Sequence, residues 1–183
     1  MNGSLLLWLL LALIVFWWVG VHNRLMRMRA RGLDAFGSVE KHMKQYAELV
    51  RGHLAQQGAV AEGENATDYM PEDWTHLLNA LGALDQALKE ARGMPLAVPA
   101  LGKLATAQDN LQRAWTHLRD APADLAGAAV SEAVQTQWEA ISLKVQTARG
   151  GLNQILAKYN EAREQFPARL VVGVMGFQAA GSL

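Results

Sequence analysis

The side chains that could do chemistry lie scattered along this sequence. None of the five histidines, His22, His42, His53, His76 and His117, stands four residues from another. Two imidazoles need that spacing to meet a metal from one helix face. Each reads instead as a surface or boundary residue. Gly150-Gly151 lacks the Lys and Ser or Thr that complete a phosphate-binding loop. It falls within a helical pattern and reads as a site of close helix approach or local bending. Glu62, Glu64, Asp68, Glu72 and Asp73 form an acidic run without EF-hand spacing, so a solvated loop is the simpler reading. There is no Gly-x-Ser-x-Gly elbow. The absence of cysteine excludes disulfides, thiolate catalysis and Cys-type zinc sites. No catalytic, cofactor-binding or metal-binding residues emerge, and no enzyme activity or cofactor is expected.

Stepping from sites to charge, the 17 basic and 17 acidic residues balance. No global field points to nucleic acid or another polyanion. One local cluster stands out: Arg24, Arg27, Arg29 and Arg31 directly follow an uninterrupted apolar run, Leu5 to Val21. At ~1.5 Å per residue that run spans roughly 25 Å, slightly under a ~30 Å hydrocarbon core. Leu5, Trp8, Leu13, Trp17 and Trp18 are the expected anchor residues, with the indoles suited to the headgroup boundaries. The arginines then mark the cytoplasmic side and contact anionic headgroups, each worth about 1 kcal/mol near the surface. A cleaved signal peptide is the rival, but it requires a basic start and a small-residue cleavage site, and neither is found. The expectation is a single-pass protein of a bacterial membrane, with its N-terminus outside and the remainder cytoplasmic.

The elements beyond the anchor follow from periodicity. Phe36, Val39, Met43, Tyr46 and Val50 alternate steps of three and four, as do Trp74, Leu77, Leu81, Leu84, Leu88 and Ala91. A third set runs Leu101, Leu104, Gln108, Leu111, Trp115 and Leu118. The longest passes through Val130, Val134, Trp138, Ile141, Val145, Ala148, Leu152, Ile155, Tyr159, Ala162 and Phe166. Such spacing puts one side chain per turn on one face, the seam of a bundle of nearly aligned helices. Trp74, Trp115 and Trp138 read as core knobs, and Gln108 as a polar residue at a core position. Gly58 to Pro71 reads as a loop, with Pro71 in the first turn of the next helix. Gly93 is expected to close that helix in a left-handed conformation, with Pro95 blocking its return. Pro99 opens the third helix, Asp120 to Pro122 end it, and Gly127 delays the fourth.

The sequence thus predicts an all-α protein: an N-terminal transmembrane helix continuing into a long antiparallel up-down bundle of about four helices. Residues 1–22 form the anchor. Residues 23–167 form the bundle, with helices over about 23–57, 72–92, 99–119 and 128–166. Residues 168–183 form an apolar tail near the membrane. The two middle helices are shorter, so the membrane-proximal parts of the first and last are expected to stand as a two-helix stalk. Leu25, Met28, Leu33, Phe36, Leu152, Ile155, Tyr159 and Phe166 fall on it. Partly bare, these residues, and Phe177 in the tail, would form contacts within the bundle or between copies.

Parts of this pattern resemble a known family. Arg149, Leu152-Asn153, Tyr159-Asn160, Phe166-Pro167, Leu170 to Val172 and Gly176-Phe177 are similar, in order and spacing, to the C-terminal signature of the LemA family. His22-Asn23, Leu25-Met26, Met28-Arg29 and Asp34-Ala35-Phe36 resemble the stretch after that family's membrane helix. Leu152 stands where the family has Tyr, the family's proline near Arg51 is missing, and Gly58 to Leu125 has no counterpart. The resemblance implies an N-terminal anchor, a cytoplasmic helical bundle and no enzymatic activity. A branch of the family resembles proteins of bacterial organelle membranes.

Two functions remain open at this stage. One is a scaffold that self-associates as a homo-oligomer on the lipid bilayer and organises or shapes the membrane. The other is a membrane-tethered adaptor that recruits a protein partner for signalling or quality control.

Overall fold

The structure is a computed structural model; it describes residues 3–60, 72–121 and 130–183. Within them every regular element is a helix, with one isolated antiparallel bridge, Ala97 to Ala180, and no strand. The expected loop through Pro71, with Glu62, Glu64 and Asp68, lies mostly outside the described residues. So do Pro122 and Gly127.

The first helix, α1, runs unbroken over Gly3–Val60. α2 spans Glu72–Gly93, α3 Val98–Arg119, α4 Glu132–Glu164 and α5 Ala168–Met175. Their ends have local causes. Glu72 and Asp73 occupy the first turn of α2, where the helix dipole favours carboxylates. Pro99 sits in the first turn of α3, where a missing N–H is harmless. Ser131 caps α4, its side chain accepting from the Val134 N–H.

Contacts across the bundle fix an up-down order. Glu40 of α1 pairs with Arg92 of α2, while Arg51 pairs with Asp85 nearer the start of α2. Lys103 meets Glu90, and His117 meets Asp73, so α3 runs back along α2. Tyr46 bonds Ser142, and Gly32 lies against Leu156, so α4 is antiparallel to α1. The closest backbone packing is within two pairs, α1 with α4 and α2 with α3. Side chains join the pairs.

The core follows the periodic stripes. Every stripe residue of α1, α2 and α3 is buried, including Gln108. Gln108 is not left unpaired, because its Oε1 accepts from Arg149 Nη1 at 3.2 Å. Trp138 stacks flat on Trp115 at 4.0 Å between ring centroids and tilts against Tyr46 at 4.4 Å. Its indole N–H donates to Gln112 Oε1, Gln112 Nε2 donates to the Tyr46 hydroxyl, and that hydroxyl donates to Ser142 Oγ. This chain of bonds ties α1, α3 and α4 together at one level.

Three sequence expectations need correction. Gly93 is not left-handed; Leu96 is, with φ 67°. A left-handed non-glycine residue costs roughly 1–2 kcal/mol. Burial of the Leu96 side chain against Gly32 offsets that cost. Gly150 and Gly151 allow no close helix approach: both are exposed, and a Cβ on either would meet nothing within 4 Å. Finally, Ile155 is only half-buried, and Leu156 takes the core position. At 3.6 residues per turn, the step from Leu152 to Tyr159 passes through Leu156 equally well.

Candidate membrane-facing site and tail clasp

The first turns of α1 carry no covering side chains. They form a stretch long and apolar enough to cross a membrane, with a window of mean hydropathy 1.9 and none of it buried. Trp8 and Leu13 are exposed, as is Phe16, at 80 %. Trp17, Trp18, Val21 and His22 are half-buried, so the protein begins to cover the helix there. Leu5 lies on the same helix, and its side chain falls outside the described residues.

Arg24, Arg27, Arg29 and Arg31 are all exposed. Steps of three and four put Arg24, Arg27 and Arg31 on one face. Arg29 points elsewhere, onto a cavity of about 340 Å³ shared with Tyr159, the α2–α3 turn and the tail.

The expected bare stalk is covered by the protein's own C-terminal segment. Leu25, Phe36, Leu152 and Tyr159 are buried, and Met28, Ile155 and Phe177 are half-buried. Of the residues expected at contacts, Leu33 is exposed and Phe166 is wide open, at 82 %. α4 has ended by Gln165, which is extended, and Phe166 swings outward. The short middle helices do leave room beside α1 and α4; α5 and the tail occupy it, packing against both.

The cover is held by a polar clasp. Gly176, left-handed at φ 68°, reverses the chain after α5. The tail then runs back along α4, away from the bare end of α1. Phe177 O accepts from Arg163, Gln178 O accepts from the Tyr159 hydroxyl, and the Phe177 ring rests against His22 at 5.6 Å. Asn160 Nδ2 donates to Ala180 O, and Asn160 Oδ1 accepts the Ala180 N–H. Asn153 does the same with Leu183, at 2.7 and 2.9 Å. The geometry matches because two helical turns rise about 10 Å and three extended residues span about 10 Å. On the other side, the Gly181 N–H donates to Leu96 O at 2.9 Å. The backbones approach so closely there that a Cβ on Gly181 would lie 2.8 Å from Val98 Cα.

The clasp was missed from sequence, although a signal was present. Asn is a poor mid-helix residue, and two of them seven apart share a face. Arg149, Asn153, Tyr159, Asn160, Gly176 and Phe177 all hold the core or the tail in place.

The histidines take separate places. His117 pairs with Asp73 at 3.0 Å, His76 lies 3.7 Å from Glu72, and His53 stacks on Trp74. Among the described residues no group of three or more His, Cys, Asp or Glu is placed to hold a metal ion. No family model matches this chain, and neither does any curated protein or solved structure.

Proposed function

We propose that this chain is a non-enzymatic scaffold of LemA type, anchored in a bacterial membrane by the start of α1, that self-associates and organises or shapes that membrane. The observation that carries this reading is the continuity of α1. One helix leads from a bare apolar length with no acidic or basic residue into a fully packed core, with a flank of four arginines between them. By the charge rule those arginines lie on the cytoplasmic side, with the bundle. Most of the stalk residues expected to join copies are engaged within the chain, Leu33 and Phe166 being exposed. Contact between copies then falls to the exposed apolar length of α1, where packing between helices within lipid can act.

The test is the assembly state and its effect on membranes. Full-length protein in mild detergent is sized by light scattering, and vesicles carrying it are imaged by electron microscopy. Oligomers with altered vesicle shape support the scaffold. Monomers in unchanged vesicles defeat it. Monomers that capture one protein at fixed stoichiometry replace it with the adaptor reading.

A further inference from the structure

We propose that α5 is a second membrane contact, its outer face of Leu170 and Val174, with Phe166 just ahead of it, resting in the boundary of an anionic lipid bilayer beside the α1 anchor. The inference rests on the anchor reading and adds a partner surface to it.

Level comes first. Gly32 lies against Leu156, and Tyr46 bonds Ser142, fourteen residues on along α1 and fourteen back along α4. The antiparallel register is therefore unbroken. Ten residues further the other way, it sets His22 level with Phe166, where α4 has just ended. His22 also touches Phe177, just past the other end of α5. Both ends of α5 thus lie where the apolar run of α1 stops.

Bilayer thickness comes second. The run from Leu5 to Val21 spans roughly 25 Å against a ~30 Å hydrocarbon core. Short spans are accommodated by drawing the flanking residues into the boundary. The shortfall of about 5 Å is one helical turn, which reaches past His22 to Leu25 and brings α5 to the lipid edge. Met26, exposed and apolar, follows that turn directly. Arg24 and Arg27 have stems long enough to hold their charge among the headgroups.

Exposure comes third. α5 buries Val171 against the bundle and leaves Leu170 and Val174 open, flanked by the exposed Arg169 and Gly173. Val174 is 75 % exposed, and Leu170 one turn earlier on the same face is 55 % exposed. Water is a poor occupant for such a face beside a membrane helix. The nearby cations Arg24, Arg27 and Arg169 match an anionic surface.

The experiment uses the absence of cysteine from the sequence. Full-length Val174→Cys, labelled with an environment-sensitive fluorophore, is reconstituted into phosphatidylcholine–phosphatidylglycerol vesicles. Phe16→Cys reports the anchor in the same way. The expected result is blue-shifted emission at both positions, quenched by brominated lipid and untouched by iodide in the water. Iodide quenching at 174 with lipid quenching at 16 overturns the α5 contact and leaves the anchor standing. Iodide quenching at both overturns both. Shielding of 174 from both quenchers assigns the face to a second copy and overturns the lipid contact. Leu170→Cys repeats the reading on the same face, so a single poorly folded variant does not decide it.

Discussion

Asn160 grips Ala180 by its backbone, donating to the carbonyl and accepting the N–H, each at 2.9 Å. A side-chain amide here does the work of a neighbouring strand. The stretch after Gly176 thereby gains hydrogen-bond partners without a sheet and becomes a wall of a helical bundle.

Removing the grip should therefore loosen the tail before it unfolds the bundle. Asn160→Ala leaves a backbone N–H and a carbonyl unpaired, a loss of about 1–3 kcal/mol. Hydrogen exchange should show the Ala180 amide losing protection while the amides of α2 keep theirs. Unchanged exchange at Ala180 in Asn160→Ala would sink this account.

Two glycines should respond oppositely to alanine. Gly181→Ala drives a methyl into the Val98 backbone, which has no rotamer to yield, so the tail must lift. Gly37 lies inside α1, where a Cβ meets nothing within 4 Å. Gly37→Ala should stabilise by about 1 kcal/mol through helix propensity. Denaturant midpoints of the two variants, falling for one and rising for the other, check the pair of statements.

Glu40 is a pH-dependent tie. The Arg92 guanidinium bonded to it, with help from Lys44, holds its carboxyl at about 2, against an ordinary 4.5. A depressed acid contributes stability above its unfolded value and loses it as pH falls through the folded one. Glu40→Gln should therefore cost on the order of 1 kcal/mol at pH 7, the scale of a pair open to water on one side. The difference from the parent should shrink between pH 4.5 and about 2. A difference independent of pH across that window would show that charge is not the cause.

Tyr46 should act at the alkaline end. Burial raises its hydroxyl above the ordinary 10, against the opposing bonds with Ser142 and Gln112. The folded state then holds the proton more tightly than the unfolded chain. This contribution is intact below pH 10 and is lost as pH rises above it. Tyr46→Phe should be less stable than the parent at pH 7 by about 1–3 kcal/mol, because Gln112 loses a partner. It should also show a shallower loss of stability above pH 10. Chemical denaturation across that range makes the comparison.

Much of the bundle was legible because burial leaves a period. Leu77, Leu81, Leu84 and Leu88 announce a helix and its inner face before any coordinates. The same logic marked Gln108 as inward, and its partner Arg149 was already singled out. What periodicity does not carry is the path of a segment without a period. Ala180, Gly181 and Leu183 are small or singly apolar, and their place is set by Asn153, Asn160 and the turn at Leu96. The stalk is covered for that reason: helix lengths alone predict two long helices standing bare beside two short ones, and the segment that covers them has no period. Leu96 was likewise hidden, since a left-handed leucine is disfavoured locally and tolerated here by the contacts its side chain makes.

α1 has a mechanical meaning as well. From Val21 to Val60 it rises about 60 Å without a joint. A bundle on a loose linker would sweep a volume, whereas this one works as a ruler. With the start of α1 anchored as proposed, whatever meets its far end meets it at a set height above the bilayer, and a tilt of the anchor is delivered there as a sideways displacement several times larger than at the lipid surface.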